Sequence, residues 1–182
     1  MIVIGITGLA GSGKSTLASE LVHRMGGLSR TAVLPFATPI KNIVAGMGIP
    51  IKDKDTPCIE AYGQTPRDIM KAIGKLGRDV HPDFWVNVWL RNVANAHWFN
   101  DIIVDDVRYP NEAAAIRGLG GWIINVTRPG VVQVDHETET QVIPWDMQIV
   151  NDGSHQDLIN ALLRVREVIF EKAPATGNQK NV

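Results

Sequence analysis

The stretch Gly8-Leu9-Ala10-Gly11-Ser12-Gly13-Lys14-Ser15 constrains this chain more than any other. It satisfies the pattern G-x-x-x-x-G-K-[ST], and it stands between a strand-like run and a helix-like one, which is the context the pattern requires. Before it, Ile2-Val3-Ile4-Gly5-Ile6-Thr7 is continuously apolar and rich in β-branched residues, as in a strand covered on both faces of a parallel sheet. After it, Leu17, Leu21 and Met25 recur at helical spacing until Gly26-Gly27. In such a loop the glycines let backbone N–H groups turn inward around a phosphate. The following helix adds its positive end, Lys14 reaches the β/γ-phosphates and Ser15 offers a hydroxyl to Mg²⁺. The pattern therefore predicts nucleotide phosphate binding by Gly8, Ala10, Gly11, Ser12, Gly13, Lys14, Ser15 and Thr16.

The remaining chain alternates in the same way. The spacing predicts a strand over 31–36, a helix from Pro39 that carries Lys41, and an aperiodic loop over 46–64. Thr65-Pro66 reads as an N-cap followed by a proline in the first helical position, opening a helix with an apolar stripe of Ile69, Ala72, Ile73 and Leu76. Arg67, Lys71, Lys75 and Arg78 stack along another side of it. A helix over 82–98 is apolar nearly all round and is predicted to be buried. Trp85 and Trp89 lie four apart on it, a spacing that suits packing better than base stacking, although Trp85 also enters the candidate substrate site. Further strands are expected at 101–106, 122–126 and 147–150, with helices from Pro110 to Ile116 and from Ser154 to Lys172, the latter with Ser154 and Asp157 approximating a capping box. This order predicts an α/β fold, a parallel sheet with helices on both faces.

At 182 residues the chain has the size of one ordinary domain. One domain over 1–173 is expected, followed by a frayed polar tail over 174–182. A formal net charge of −1 provides no whole-molecule field for holding a polyanion, so a nucleic acid polymer is not an expected partner. A single cysteine, Cys58, removes any intrachain disulfide and fits a reducing compartment. No basic leader precedes the apolar opening and no run reaches the ~18 apolar residues of a membrane span. A cytoplasmic enzyme without membrane association is the expectation. The tryptophan-bearing helix can pack on the sheet or on a second subunit, which leaves a homodimer open.

Phosphate binding alone does not name a reaction. No Asn-Lys-x-Asp and no Asp-x-x-Gly occurs, which removes a guanine-nucleotide switch, and the chain is short for a motor ATPase. Charge favours a kinase. MgATP with a nucleoside monophosphate brings a net charge of about −4 into one cleft. Such a cleft needs cations beyond Lys14, and arginine suits it because its planar fork donates two parallel hydrogen bonds to a phosphate. Arg67 and Arg78 share a helix face, Arg108 follows an acidic strand end, and Arg128 begins a polar connection over 128–144 where a lid would lie. Asp105-Asp106 at the end of an apolar strand resembles a metal-holding Walker B acid, with Asp106 the favoured ligand alongside Ser15. Asn151 and Gly153, between the last strand and last helix, stand where they can frame an adenine. His136, with Glu137 and Glu139, lacks a second histidine at ligand spacing and reads as a solvated loop.

Taken together, these segments resemble the phage-type deoxynucleoside monophosphate kinases of the P-loop NMP-kinase fold. The matching stretches are the glycine-rich loop, Phe36 to Lys41, Gln64-Thr65-Pro66-Arg67, Gly77-Arg78 with His81-Pro82-Asp83-Phe84-Trp85-Val86-Asn87, Asp106-Val107-Arg108-Tyr109-Pro110-Asn111-Glu112, Arg128-Pro129-Gly130 and Asn151-Asp152-Gly153. The resemblance implies a five-stranded parallel sheet, an NMP-binding region over about 37–98, a closing lid, and transfer of the γ-phosphoryl of ATP, with Mg²⁺, to a deoxynucleoside monophosphate. It places Lys41, Arg67, Arg78 and Arg108 near the phosphates; the charge argument makes Lys14, Arg108 and Arg128 the expected catalytic cations. Thr138 stands where the family usually has Ser before Glu139, so no role passes to His136 or Glu139. Related P-loop kinases of phosphomevalonate or dephospho-coenzyme A, and a non-catalytic nucleotide-binding module, remain as alternatives.

Overall fold

The run Ile2-Val3-Ile4-Gly5-Ile6-Thr7 forms the central strand of the molecule, and the residues on either side of it explain its composition. In the computed structural model, which describes residues 1–132 and 141–172, the strands are β1 (Ile2–Thr7), β2 (Thr31–Val33), β3 (Asp101–Val104), β4 (Trp122–Thr127) and β5 (Met147–Val150). They form one parallel sheet in the order β2-β3-β1-β4-β5. Helices α1 (Lys14–Arg24), α2 (Thr38–Gly46), α3 (Pro66–Val80), α4 (Phe84–Asn95), α5 (Pro110–Gly118) and α6 (His155–Lys172) complete the described chain. Ile4, Ile6, Ile103, Ile124 and Ile149 point to a core closed by Leu17 and Leu21 of α1 and Leu158 and Leu162 of α6. Val3, Ile102, Val104 and Ile123 point the other way, to Val86 and Trp89 of α4 and Ala113 and Ile116 of α5. Alternate residues of each strand thus meet a helix layer on each face, which is why the strands read as unbroken apolar runs. This is the P-loop, NMP-kinase-like class that the sequence predicts. Among the described residues, no helix is long and apolar enough to cross a membrane.

Several boundaries are shorter than the sequence suggests. β2 stops at Val33 because Leu34 makes a last hydrogen bond to Ile103 O (2.9 Å) and Pro35 has no N–H to continue the ladder. β3 stops at Val104, and its two acids lie beyond it. The buried helix spans Phe84–Asn95 rather than 82–98, leaving Trp98 at 67 % exposure. The lid-like connection falls partly, and His136, Glu137, Glu139 and the tail over 174–182 fall wholly, outside the described residues.

The apolar stripe expected on α3 is corrected. Ala72 and Leu76 are exposed, whereas Pro66, Gly74 and Gly77 are buried. The helix packs through its glycines because their bare backbone admits the Trp85 indole, whose Nε1 donates to Gly74 O at 2.9 Å. A Cβ on Gly77 would stand 2.5 Å from Trp85 Nε1 and 2.9 Å from Phe84 Cδ1. Gly77→Ala is therefore expected to destabilise the protein by about 1–3 kcal/mol in urea unfolding despite alanine's better helix propensity. Gly46→Ala, where a Cβ meets nothing within 4 Å, serves as the control and is expected not to destabilise.

Candidate functional site

In a parallel sheet of this order, the loops after β1, β3, β4 and β5 converge on one edge, the usual place for a ligand. The loop after β1 is the glycine-rich motif. Gly8 adopts φ 135°, where a side chain is strained, and any Cβ there would collide with the Val126 carbonyl of β4. Gly13, at φ 104°, leads into α1, and a Cβ on it would stand 2.5 Å from Asn151 Nδ2. Asn151 itself donates from Nδ2 to Ser12 O (3.0 Å) and from its backbone N–H to Thr127 O (2.7 Å). It braces the loop through its own amide, as a neighbour of the motif rather than a remote frame. Lys14 Nζ donates to Gly8 O and Leu9 O, both at 2.7 Å. Ser15 and Thr16 are exposed at the start of α1, and Gly153 is exposed in the loop before α6.

A cavity of about 460 Å³ opens on this loop. It is lined by Gly8, Ala10, Ser12 and Lys14 from the loop, Arg108 from beyond β3, Asn125 and Arg128 from β4 and its end, and Val142, Ile143 and Trp145 opposite. Lys14, Arg108 and Arg128, predicted from distant parts of the sequence, thus face one space. Sequence reading missed the wall at 141–145; Trp145, half exposed at 48 %, sits in a polar stretch that shows no period.

A second group of cations adjoins Arg108. Lys54 is half-buried, and burial together with the charges of Lys41, Arg67 and Arg108 holds its ammonium below the usual lysine range. Lys54 lies in the loop that the sequence left without a pattern, in the alternating run Lys52-Asp53-Lys54-Asp55 that reads as a solvated charge cluster. Arg67 is there as predicted, with its guanidinium paired to the Asp55 carboxylate through Nε and, at 3.0 Å, through Nη2. Lys71, exposed like Arg67, acts on the Asp55 carboxylate at the margin of this group, whereas Lys75 pairs with Asp79. Arg78 is half-buried, its guanidinium 4.7 Å from the centroid of the Tyr109 ring, next to Arg108 in sequence.

Two predicted roles are revised by geometry. Trp85, at 7 % exposure, has its indole N–H engaged by Gly74 O and fills the contact between α3 and α4, bordering only a small cavity with Arg78 and Tyr109; its observed part is packing. Asp106 does not extend into the cavity. Its two oxygens accept from Phe36 N (2.8 Å) and Ala37 N (2.9 Å), the residues leading into α2. Burial raises its carboxyl above the usual range in spite of those two bonds. Asp106 therefore ties the end of β3 to the start of the helix that carries Lys41. Asp105, half-buried beside it, is the acid of the pair with no amide bonds drawn from this loop.

Glu112, which the sequence marks only as the end of the Asp-Val-Arg-Tyr-Pro-Asn-Glu stretch, holds the backbone at Arg108. It is buried at 7 % exposure, and its Oε2 accepts from Arg108 N (2.7 Å) and Tyr109 N (3.1 Å). Burial, with Asp106 nearby, pushes its carboxyl up to about 8. Asn111 Nδ2 donates to Pro82 O (3.0 Å) and Asp83 Oδ1 (2.9 Å), joining the same turn to the start of α4. The Tyr-Pro-Asn-Glu and His-Pro-Asp segments are thus one interlocked joint that fixes the backbone of Arg108.

The donors present fit a magnesium ion bound mainly through phosphates. Among the described residues, no group of three or more His, Cys, Asp or Glu can hold a metal. Mg²⁺ characteristically takes one or two protein oxygens with substrate phosphates. The exposed Ser15 hydroxyl and the Asp105 carboxylate are of that kind.

Comparison with known proteins agrees with this geometry. A family model described as deoxynucleotide monophosphate kinase matches residues 64–162, the span that holds α3, the Arg108 joint and the Arg128 loop. A protein of Acanthamoeba polyphaga mimivirus described as a "putative deoxynucleotide monophosphate kinase" is 28% identical over 186 residues, covering 90% of this chain and 95% of that protein. Uncharacterized protein ORF77 of Ictalurid herpesvirus 1 (strain Auburn) is 26% identical over 160 residues, and the match covers 83% of this chain but only 64% of that longer protein. Among solved structures, TT1252 from Thermus thermophilus shares the fold, with a TM-score of 0.51, 18% identity, and coverage of 92% of this chain and 97% of that one. Since the family model spans more than half of the 182 residues, and includes the segments that bring Arg108 and Arg128 to the cavity, the chain belongs to the deoxynucleotide monophosphate kinase family.

Proposed function

We propose that the protein transfers the γ-phosphoryl group of ATP to a deoxynucleoside monophosphate, giving the diphosphate and ADP. The observation that carries this reading is the gathering of Lys14, Arg108 and Arg128 on one cavity, with the charges of Lys41, Arg67 and Arg108 acting together on Lys54 nearby. Two mutually repelling anions need this: one cationic pocket each, sharing a cation where the transferred group passes. In this reading the loop amides and Lys14 hold the β- and γ-phosphates. Lys41, Arg67 and Arg78 seat the acceptor monophosphate, with Arg67 exchanging the Asp55 carboxylate for a phosphate of the same two-oxygen shape. Arg108 and Arg128 neutralise charge on the transferred group. Ser15 and Asp105 hold Mg²⁺, which supplies charge neutralisation between the phosphates when bound. The nucleophile is an acceptor phosphate oxygen that is already anionic, so no general base is required, and rate comes from alignment and electrostatics.

Coupled ADP-release assays across the deoxynucleoside monophosphates, with phosphomevalonate and dephospho-coenzyme A alongside, test this directly. ADP formation stimulated by at least one deoxynucleoside monophosphate is expected. Turnover on a non-nucleotide acceptor alone, or ATP binding with no acceptor stimulation, would overturn the assignment.

A further inference from the structure

Lys54 belongs to the segment between α2 and α3, and that segment is a built part of the molecule rather than a loose surface loop. Its apolar residues Ile49, Ile51, Cys58 and Ala61 pack with Val44 of α2 and Ile69 of α3 into a small separate core. Above that core the chain is fixed by polar bonds: Arg67 N donates to Lys54 O at 3.0 Å, and Asp53 Oδ1 accepts from Asp55 N (3.1 Å) and Thr56 N (3.2 Å). Lys54 is set between two exposed aspartates and yet is itself half-buried, with no ion pair to either. Asp55, its neighbour, is committed to Arg67.

A half-buried ammonium in the field of Lys41, Arg67 and Arg108, offset in part by an Asp55 carboxylate that is already bonded to Arg67, is held at a cost, and an anion entering among these groups relieves it. Lys54 does not line the cavity over the glycine-rich loop, whereas Arg108 lines that cavity and also acts on Lys54. The charge of Arg108 is thus felt both in that cavity and at Lys54, which lies in the segment between α2 and α3. We infer that Lys54 is a phosphate-binding residue of the acceptor site, donating to an oxygen of the acceptor monophosphate beside Arg67 and Lys41. This rests on the function proposed above, and it adds a residue from a segment outside the motifs that carry that reading.

The test compares Lys54→Met and Lys54→Arg with the unmodified full chain, measuring kcat and separate KM values for ATP and for the best deoxynucleoside monophosphate. A charge-assisted bond to phosphate predicts that the methionine variant raises the acceptor KM by about 10- to 100-fold while the ATP KM stays nearly unchanged. Arginine, which keeps the charge, recovers most of the loss, as a merely packing role would not. Lys54→Gln gives the same reading if the methionine chain fails to fold. An active enzyme whose acceptor KM ignores these substitutions, or whose two KM values rise together, overturns the role of Lys54 alone. An unmodified chain that makes no ADP with any deoxynucleoside monophosphate overturns the function, and the role of Lys54 with it.

Discussion

Arg108→Ala is expected to lower kcat by roughly 10²- to 10³-fold, the loss of about 3–4 kcal/mol that follows removal of one preorganised donor to developing charge. The reason is its location and its mounting. Arg108 lines the cavity with Lys14 and Arg128, and it faces the cations of the α2–α3 side, so it is the group that can touch the transferred phosphoryl from both anion sites. Its backbone N–H is held by Glu112, which fixes the point from which the exposed side chain reaches the cavity. The KM for ATP should change much less than kcat, because Lys14 and the loop amides are untouched. Arg108→Lys should recover only part of the rate, since a point charge lacks the fork that spans two phosphate oxygens. Steady-state kinetics with ATP and the preferred acceptor decide it; turnover of Arg108→Ala within a few-fold of the parent would remove Arg108 from the chemistry.

Much of this was legible in the chain because the loop motif is local physics. Gly8 and Gly13 reveal their positions by the backbone they permit, and the strand Ile2–Thr7 and helix Lys14–Arg24 flank them as the composition implies. Thr65-Pro66 and Ser154 marked helix starts, and Ser154 and Asp157 do form the reciprocal cap, Ser154 N donating to Asp157 Oδ2 (2.8 Å) and Asp157 N to Ser154 Oγ (3.3 Å). What was not legible depends on partners distant in sequence. The stripe put Leu76 inside, but the packing face of α3 runs through Gly74 and Gly77 and is set by the shape of Trp85, eight residues beyond Gly77. The acid at the end of β3 carries the same chemistry whether it meets a metal or an amide; only the approach of residues 36 and 37 shows that Asp106 is engaged with the backbone. Lys54 escaped because a charge in an aperiodic loop is ordinarily solvated, and the small core that fixes it draws on residues from three separate segments.

The second large effect concerns pH. Glu112 carries a carboxyl pushed up to about 8 in the folded protein, against 4.5 for the free group. Below the unfolded value both states hold the proton, and the folded state bears no penalty. As pH rises from there toward 8, the unfolded chain releases its proton while the folded one keeps it, so stability falls across that window and levels off above it. The fall attributable to Glu112 is on the order of 4 kcal/mol. Burial raises the Asp106 carboxyl too, which adds a slope of the same sign. Glu112→Gln keeps an oxygen for the Arg108 and Tyr109 amides and cannot ionise. Its urea-unfolding free energy should therefore decline much less than the parent's between pH 5 and 8, with a residue of the slope left by Asp106. Near neutral pH, where the parent already holds a largely protonated Glu112, the glutamine variant should retain kcat, because Arg108 stays anchored. Glu112→Ala, which leaves two buried amides without an acceptor, should lose both stability and rate. A parent whose stability is flat or rises from pH 5 to 8, or a glutamine variant with an unchanged slope, would mean that Glu112 is ionised in the fold and holds Arg108 by charge instead.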